Sequence, residues 1–221
     1  MAAIPNVLSI AGSDPSGGAG VQAYLKTFAA LGCYGMAAIT ALTAQNTRGV
    51  TGVHLPDAAF VAKQIDAIFD DIRVDAVKIG MLGSGAIVEA LGAALARHGA
   101  RNIVLDPVLV ATSGDSLGAP DVVEAMRRAL MPLAAVVTPN IPEAMRFTGH
   151  GEPRDLDDLA AMAQAMMGQG ARAVLVKGGH MEGAEASDVL FDAQGLGEIG
   201  LGALHRCVQV SALGEFRRDG G

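Results

Sequence analysis

Four residues at the ends of apolar runs could do chemistry together: Asp106 before Pro107 and Val108, Asn140 and Glu143 in "TPNIPE", and Lys177 opening "KGGH". Asp106 and Glu143 offer oxygen atoms to a hard cation such as Mg²⁺, directly or through water. Lys177 offers positive charge to a phosphate, and Asn140 is a polar residue that follows the preceding apolar run. Taken together, the four point to phosphoryl transfer. Singly, each has a plainer reading: Asp106 as a turn residue, Glu143 as a first-turn carboxylate favoured by the helix dipole, Lys177 as a solvated strand end.

A second candidate is the glycine-rich stretch "SIAGSDPSGGAGVQ", which begins at Ser9. A loop between a strand at 7–11 and a helix from about Ala19 is expected to leave backbone N–H groups free for a small polar ligand. Gly12 and Gly17 have Walker A spacing, but Gly18 and Ala19 follow where Lys and Ser or Thr are required. Gly17, Gly18 and Gly20 do not give the dinucleotide order G-x-G-x-x-G either. A tight strand-to-helix turn remains the alternative.

Apolar runs of strand length at 7–11, 35–41, 76–79, 103–105, 135–137 and 173–176 must position these residues. Helix-period segments lie between most of them. Asp57 is predicted to cap a helix burying Phe60, Val61, Ile65, Ile68 and Phe69, and Asp155 one burying Leu156, Leu159, Ala163, Met166 and Met167. Pro120 suits the first turn of a helix burying Val122, Val123, Met126 and Leu130. Alternation of strand and helix predicts an α/β fold with a mostly parallel sheet, where ligands gather at the carboxyl ends of strands.

The 221 residues are 51% hydrophobic and 18% charged, enough for one sizeable core. A formal charge of −7 without a basic cluster argues against nucleic acid and anionic membranes as partners. Cys33 and Cys207 give neither a disulfide framework nor a metal-ligand spacing, and a cytoplasmic location is expected. The uncharged run at 27–47 is read as a helix end followed by a buried strand rather than a membrane span.

Six ordered blocks, "AGSDPSGGAGVQA", "ITALTAQNTRGV", "VKIGMLG", "VLDPVLVATSGD", "VTPNIPEA" and "VLVKGGH", resemble the hydroxymethylpyrimidine and phosphomethylpyrimidine kinases of thiamine biosynthesis. The resemblance runs from Val7 to about Asp192 and implies a ribokinase-like fold with helices on both faces of the sheet. It implies ATP as co-substrate, Mg²⁺ and a pyrimidine substrate, and such enzymes commonly form homodimers. Gly12, Gln45, Met81 and Val108 would surround the ring. Asn140 and Lys177 would face the nucleotide phosphates, with Lys177 neutralising charge during transfer, and Asp106 and Glu143 would face the metal. No residue is assigned as the base.

Two departures qualify what the resemblance implies. Tyr24 stands where the family has an aspartate that helps to recognise the pyrimidine, so its bulk is expected to reshape the ring site. The family's Asn-Thr-His-Gly-Thr-Gly-Cys stretch, an anion hole for the transferring phosphate, is not spelled after "VLFD". The expectation is therefore a ribokinase-like domain at 1–198 and an atypical tail at 199–221, an incomplete C-terminal part arising from a frameshift or an altered terminus. An inactive pyrimidine-binding paralogue and a pyridoxal-type kinase are the alternatives that these departures raise. Cys207, beside His205 and Arg206, is not expected to substitute for the missing cysteine.

Overall fold

The computed structural model of the chain describes residues 4–109, 120–178, 188–193 and 195–199. The strands are β1 (Asn6–Gly12), β2 (Tyr34–Asn46), β3 (Gly49–His54), β4 (Ala76–Ile79), β5 (Ile103–Leu105), β6 (Val136–Val137), β7 (Val174–Val176), β8 (Asp188–Asp192) and β9 (Gly195–Ile199). The helices are α1 (Gly20–Ala30), α2 (Ala58–Phe69), α3 (Gly85–Arg97), α4 (Pro120–Ala129), α5 (Ile141–Thr148) and α6 (Leu156–Gly168). Among the described residues they build a nine-stranded sheet in the order β3-β2-β1-β4-β5-β6-β7-β8-β9. From β2 to β7 neighbouring strands run parallel, while β3, β8 and β9 are added antiparallel.

The central strands are apolar on both sides because helices cover both faces. On β1, Leu8 and Ile10 join Val77, Ile79, Ile103 and Leu105 in the large core beneath α2 to α6, and Val7 and Ala11 pack on the opposite face with Val21, Tyr24 and Phe28 of α1. Fully burying an aliphatic side chain of this kind contributes roughly 2 kcal/mol. That two-sided packing holds the carboxyl ends of β1, β4, β5, β6 and β7 along one rim. No helix among the described residues is long and apolar enough to cross a membrane.

The predicted helices at 58, 120 and 156 form, with differences on their faces. Val61 and Ile65 are buried, but Phe60 is 58% exposed, since it sits about 100° around the helix from Val61. Leu156, in the first turn of α6, is 36% exposed. Asp155 caps α6 by accepting from the Asp158 amide, whereas Asp57 occupies the N-cap of α2 without a side-chain hydrogen bond. The tail expected at 199–221 begins within β9, which runs to Ile199, and residues 200–221 lie outside the described residues, as do His180 and Cys207.

Candidate active site

Tyr24 is the residue where the site meets the fold's second core. Carried on α1 and 7% exposed, it packs with Ala11, Val21 and Phe28. Its hydroxyl lies over Gly80, where a Cβ would come within 2.9 Å of it. Burial, and after it the charges of Asp106 and Glu143, push the phenol far above its ordinary range, so Tyr24 stays neutral.

Above this floor a buried charge cluster closes across three strand ends. Asp106 follows β5, and its Oδ2 accepts from Lys78 Nζ of β4 at 3.1 Å while its Oδ1 accepts from Lys177 Nζ, at the end of β7, also at 3.1 Å. The Lys177 amide donates to the Pro139 carbonyl at 2.9 Å and a single parallel bridge pairs Lys177 with Asn140, which draws the β6 and β7 ends together. Burial works against the ionised form of Asp106, but the two ammonium groups outweigh it and hold its carboxyl below the usual range. Burial also opposes charge on Lys177, yet Asp106 and Glu143 outweigh it and raise the ammonium above its usual range.

Asn140 and Glu143 form a capping box at the start of α5. The Asn140 side chain accepts from the Glu143 amide at 2.8 Å, and the Asn140 amide donates to Glu143 Oε2 at 2.8 Å. The Leu109 amide also donates to this carboxylate. Even so, burial and then the neighbouring Asp106 charge push Glu143 up to about 7, so it titrates near neutrality.

Gly12 and Met81 meet at the ends of β1 and β4: a Cβ on residue 12 would come 3.1 Å from the Met81 sulfur. Thr40 fixes this floor by donating to the Met81 carbonyl at 2.6 Å. Val108 is half-buried two residues beyond Asp106, its amide bonded to the Asp106 carbonyl. Gln45 lies farther along β2, where that strand has run past β1 and pairs with β3, and its amide oxygen is 3.4 Å from the Thr43 hydroxyl. The structure therefore brings Asp106, Asn140, Glu143 and Lys177 into one cluster and sets Gly12 against Met81, with Gln45 on the β2–β3 pair at the edge of the sheet.

The glycine-rich loop departs from expectation. Its N–H groups are not free for a ligand: the Asp14 carboxylate accepts from the amides of Ser16, Gly18 and Ala19 and from the Ser16 hydroxyl, at 2.7–3.0 Å. The Asp14 amide in turn donates to Gln22 of α1 at 2.8 Å. An internal carboxylate thus takes up the loop amides that lead into α1, the donors an incoming anion would otherwise meet in this loop. Gly20 is needed for close approach, since a Cβ there would stand 2.3 Å from the Gly12 carbonyl oxygen.

Asp14 and Lys78 are the two residues that sequence reasoning missed. For Lys78 the signal was available: a lysine inside the apolar strand "AVKI" needs a buried counter-charge, and Asp106 ends the adjacent strand. Among the described residues no group of three or more His, Cys, Asp or Glu side chains is placed to hold a metal. Both oxygens of Asp106 are taken by lysines, which leaves Glu143 as the carboxylate in this cluster suited to a cation that brings its own oxygen ligands.

Comparison with known proteins agrees with this architecture. A family model described as phosphomethylpyrimidine kinase matches residues 14–203. The chain is 55% identical over 189 residues to a hydroxymethylpyrimidine/phosphomethylpyrimidine kinase of Rhizobium meliloti, covering 86% of this chain and 71% of the relative. A crystal structure of phosphomethylpyrimidine kinase from Clostridium difficile superposes with a TM-score of 0.81 at 44% identity, covering 88% of this chain and 83% of that one. A Bacillus subtilis pyridoxal kinase in an ADP complex gives 0.80 at 36% identity, covering 89% and 74%. With its ribokinase-like α/β sheet and most of its length matched, the chain belongs to the phosphomethylpyrimidine kinase family.

Proposed function

We propose that this protein transfers the γ-phosphate of ATP to hydroxymethylpyrimidine or its monophosphate, as a thiamine-biosynthetic kinase. The observation that carries the reading is Asp106 held between two lysines beside the Asn140–Glu143 capping box, at the carboxyl rim where an α/β sheet binds ligands. Phosphoryl transfer depends on positioning and on charge aimed at the transferring group. Lys177, 26% exposed and anchored by Asp106, reaches the open side of the cluster and neutralises phosphate charge there.

Glu143 fits a Mg²⁺ ion that arrives with ATP, holding it through water, because such an ion keeps several waters and takes its direct ligands chiefly from phosphates. When bound, the ion supplies neutralisation of charge on the β- and γ-phosphate oxygens. Asp106 serves that arrangement by orienting Lys177. Gly12, Met81 and Val108 provide the floor for the heterocycle, Gln45 provides amide hydrogen bonds from the β2–β3 ribbon, and Asn140 sets the direction of α5 beside the phosphates. The glycine loop acts as a scaffold locked by Asp14. Residues 1–198 form the kinase domain, which works in the cytoplasm as a homodimer.

Tyr24 favours a second reading, pyridoxal as the acceptor. A neutral aromatic group replaces a charged acceptor beneath the ring site, and a pyridoxal kinase is among the structural neighbours. Incubation with ATP and Mg²⁺ and either hydroxymethylpyrimidine or pyridoxal, with each phosphorylated product detected by mass spectrometry, tests both. Faster formation of the pyrimidine product is expected. Preference for pyridoxal would reverse the assignment, and binding of the pyrimidine without product would mark the inactive paralogue.

A further inference from the structure

Lys78 takes no part in the chemistry proposed above, yet it is the most enclosed cation of the cluster. Its side chain is 6% exposed against 26% for Lys177, so it is walled off from a bound nucleotide. From one side its ammonium donates to Asp106 Oδ2 at 3.1 Å; from the other the Tyr24 ring lies 5.3 Å away, within cation–π range. Tyr24 is itself seated by the absence of a side chain at Gly80, where a Cβ would also come 3.3 Å from its Cε2. Asp106, 5% exposed, carries the constraint outward through its second oxygen to Lys177. The chain Tyr24, Lys78, Asp106, Lys177 therefore runs from the α1 core to the open rim.

Stability alone gives no reason for a lysine at this position. Burying an ammonium is costly, and replacing a buried ion pair with well-packed apolar groups is often neutral or stabilising. What the second lysine adds is direction. With one carboxylate oxygen held by Lys78, the group cannot turn to present both oxygens to Lys177, and its remaining acceptor points where the Lys177 ammonium must stay. We propose that Lys78 is a positioning residue that acts through Asp106 to fix Lys177 for the phosphates of the bound nucleotide. This rests on the kinase reading above, and its test reads binding separately from turnover.

Isothermal titration of the full chain with the Mg²⁺ complex of a non-hydrolysable ATP analogue, and separately with hydroxymethylpyrimidine, measures the effect in wild type, Lys78→Met, Lys177→Met and the double variant. Lys78→Met is expected to weaken the nucleotide analogue by about tenfold or more, as truncating one partner of a buried charge pair does, and to leave the pyrimidine within about twofold. In the Lys177→Met background the same change should add no more than about twofold, since residues acting as a unit are not additive. Lys78→Arg, which keeps the charge, should recover most of the lost affinity.

Equal weakening of both ligands, or full additivity in the double variant, would overturn the proposal. Should Lys78→Met not fold, Lys78→Gln supplies the same comparison; failure of both to fold while Lys177→Met folds would make Lys78 a structural residue and end the proposal. A wild type that binds the analogue but transfers no phosphate would refute the kinase reading alone, leaving the double-variant comparison to decide the role of Lys78. Absence of wild-type analogue binding would refute both.

Discussion

Substituting glutamine for Glu143 should change how stability responds to pH, by an amount that follows from its surroundings. The side chain is 4% exposed and its carboxyl is pushed up to about 7 from an ordinary 4.5. A tenfold change in proton affinity is worth about 1.4 kcal/mol, so the displacement corresponds to about 3 kcal/mol. Between these two values the folded chain keeps a proton that the unfolded chain has released, and stability therefore falls as pH rises. The contribution is complete below 4.5, is lost through about 7, and is flat above. Glutamine satisfies the same capping box but does not titrate. Urea unfolding at about pH 5 and about pH 8 should show wild type losing about 2–3 kcal/mol more than Glu143→Gln, since at pH 5 part of the contribution is already lost. Parallel losses within about 0.5 kcal/mol would refute the claim that burial and Asp106 hold this carboxyl near neutrality.

Asp14→Ala strips the acceptor from three loop amides and one hydroxyl, and should destabilise the chain by about 3 kcal/mol or more in urea melts, with Asp14→Asn intermediate. Gly20→Ala meets both a positive φ of 57° and the Gly12 carbonyl at 2.3 Å; loss of soluble folded protein, or a thermal midpoint several degrees lower, is expected. Asp106→Asn leaves the enclosed Lys78 ammonium, and the partly open Lys177 beside it, around a neutral amide and should cost about 3 kcal/mol or more in unfolding free energy. A change under about 1 kcal/mol would mean that the two lysines do not depend on this carboxylate.

Much of the fold is legible because its central strands are short apolar runs separated by helices with clear periodicity. The strands at 76–79 and 103–105 match the sequence reading at both ends. Less visible was α3, whose "GAIVEALGAALAR" dilutes the apolar stripe with alanine and glycine even though Ser84 caps it. The antiparallel β3 escaped notice because most of it is exposed and lacks an apolar face, and β8 and β9 because, among the described residues, they pair antiparallel with each other and β7 at the end of the sheet, outside the strand–helix alternation. At the site, residue type and chain position were enough to single out Asp106, Asn140, Glu143 and Lys177. The Asp14 knot was hidden for a different reason: it is built from side chain-to-amide bonds inside one loop, which leave no periodic trace. Lys78, by contrast, was open to sequence reasoning, since a lysine inside an apolar strand needs a buried counter-charge; what the sequence does not show is that the carboxylate on the neighbouring strand is shared with Lys177.

The central claim is that the cluster around Asp106 and Lys177 is where phosphate is transferred. Direct detection of phosphorylated hydroxymethylpyrimidine, formed from ATP and Mg²⁺ by wild type and by Lys177→Met under saturating substrate, tests it most directly. Product from wild type and a rate about a hundredfold lower in the folded variant is the predicted result, the scale expected for removing one group aimed at developing charge. An undiminished rate in Lys177→Met, or no product from a wild type that binds both substrates, would contradict it.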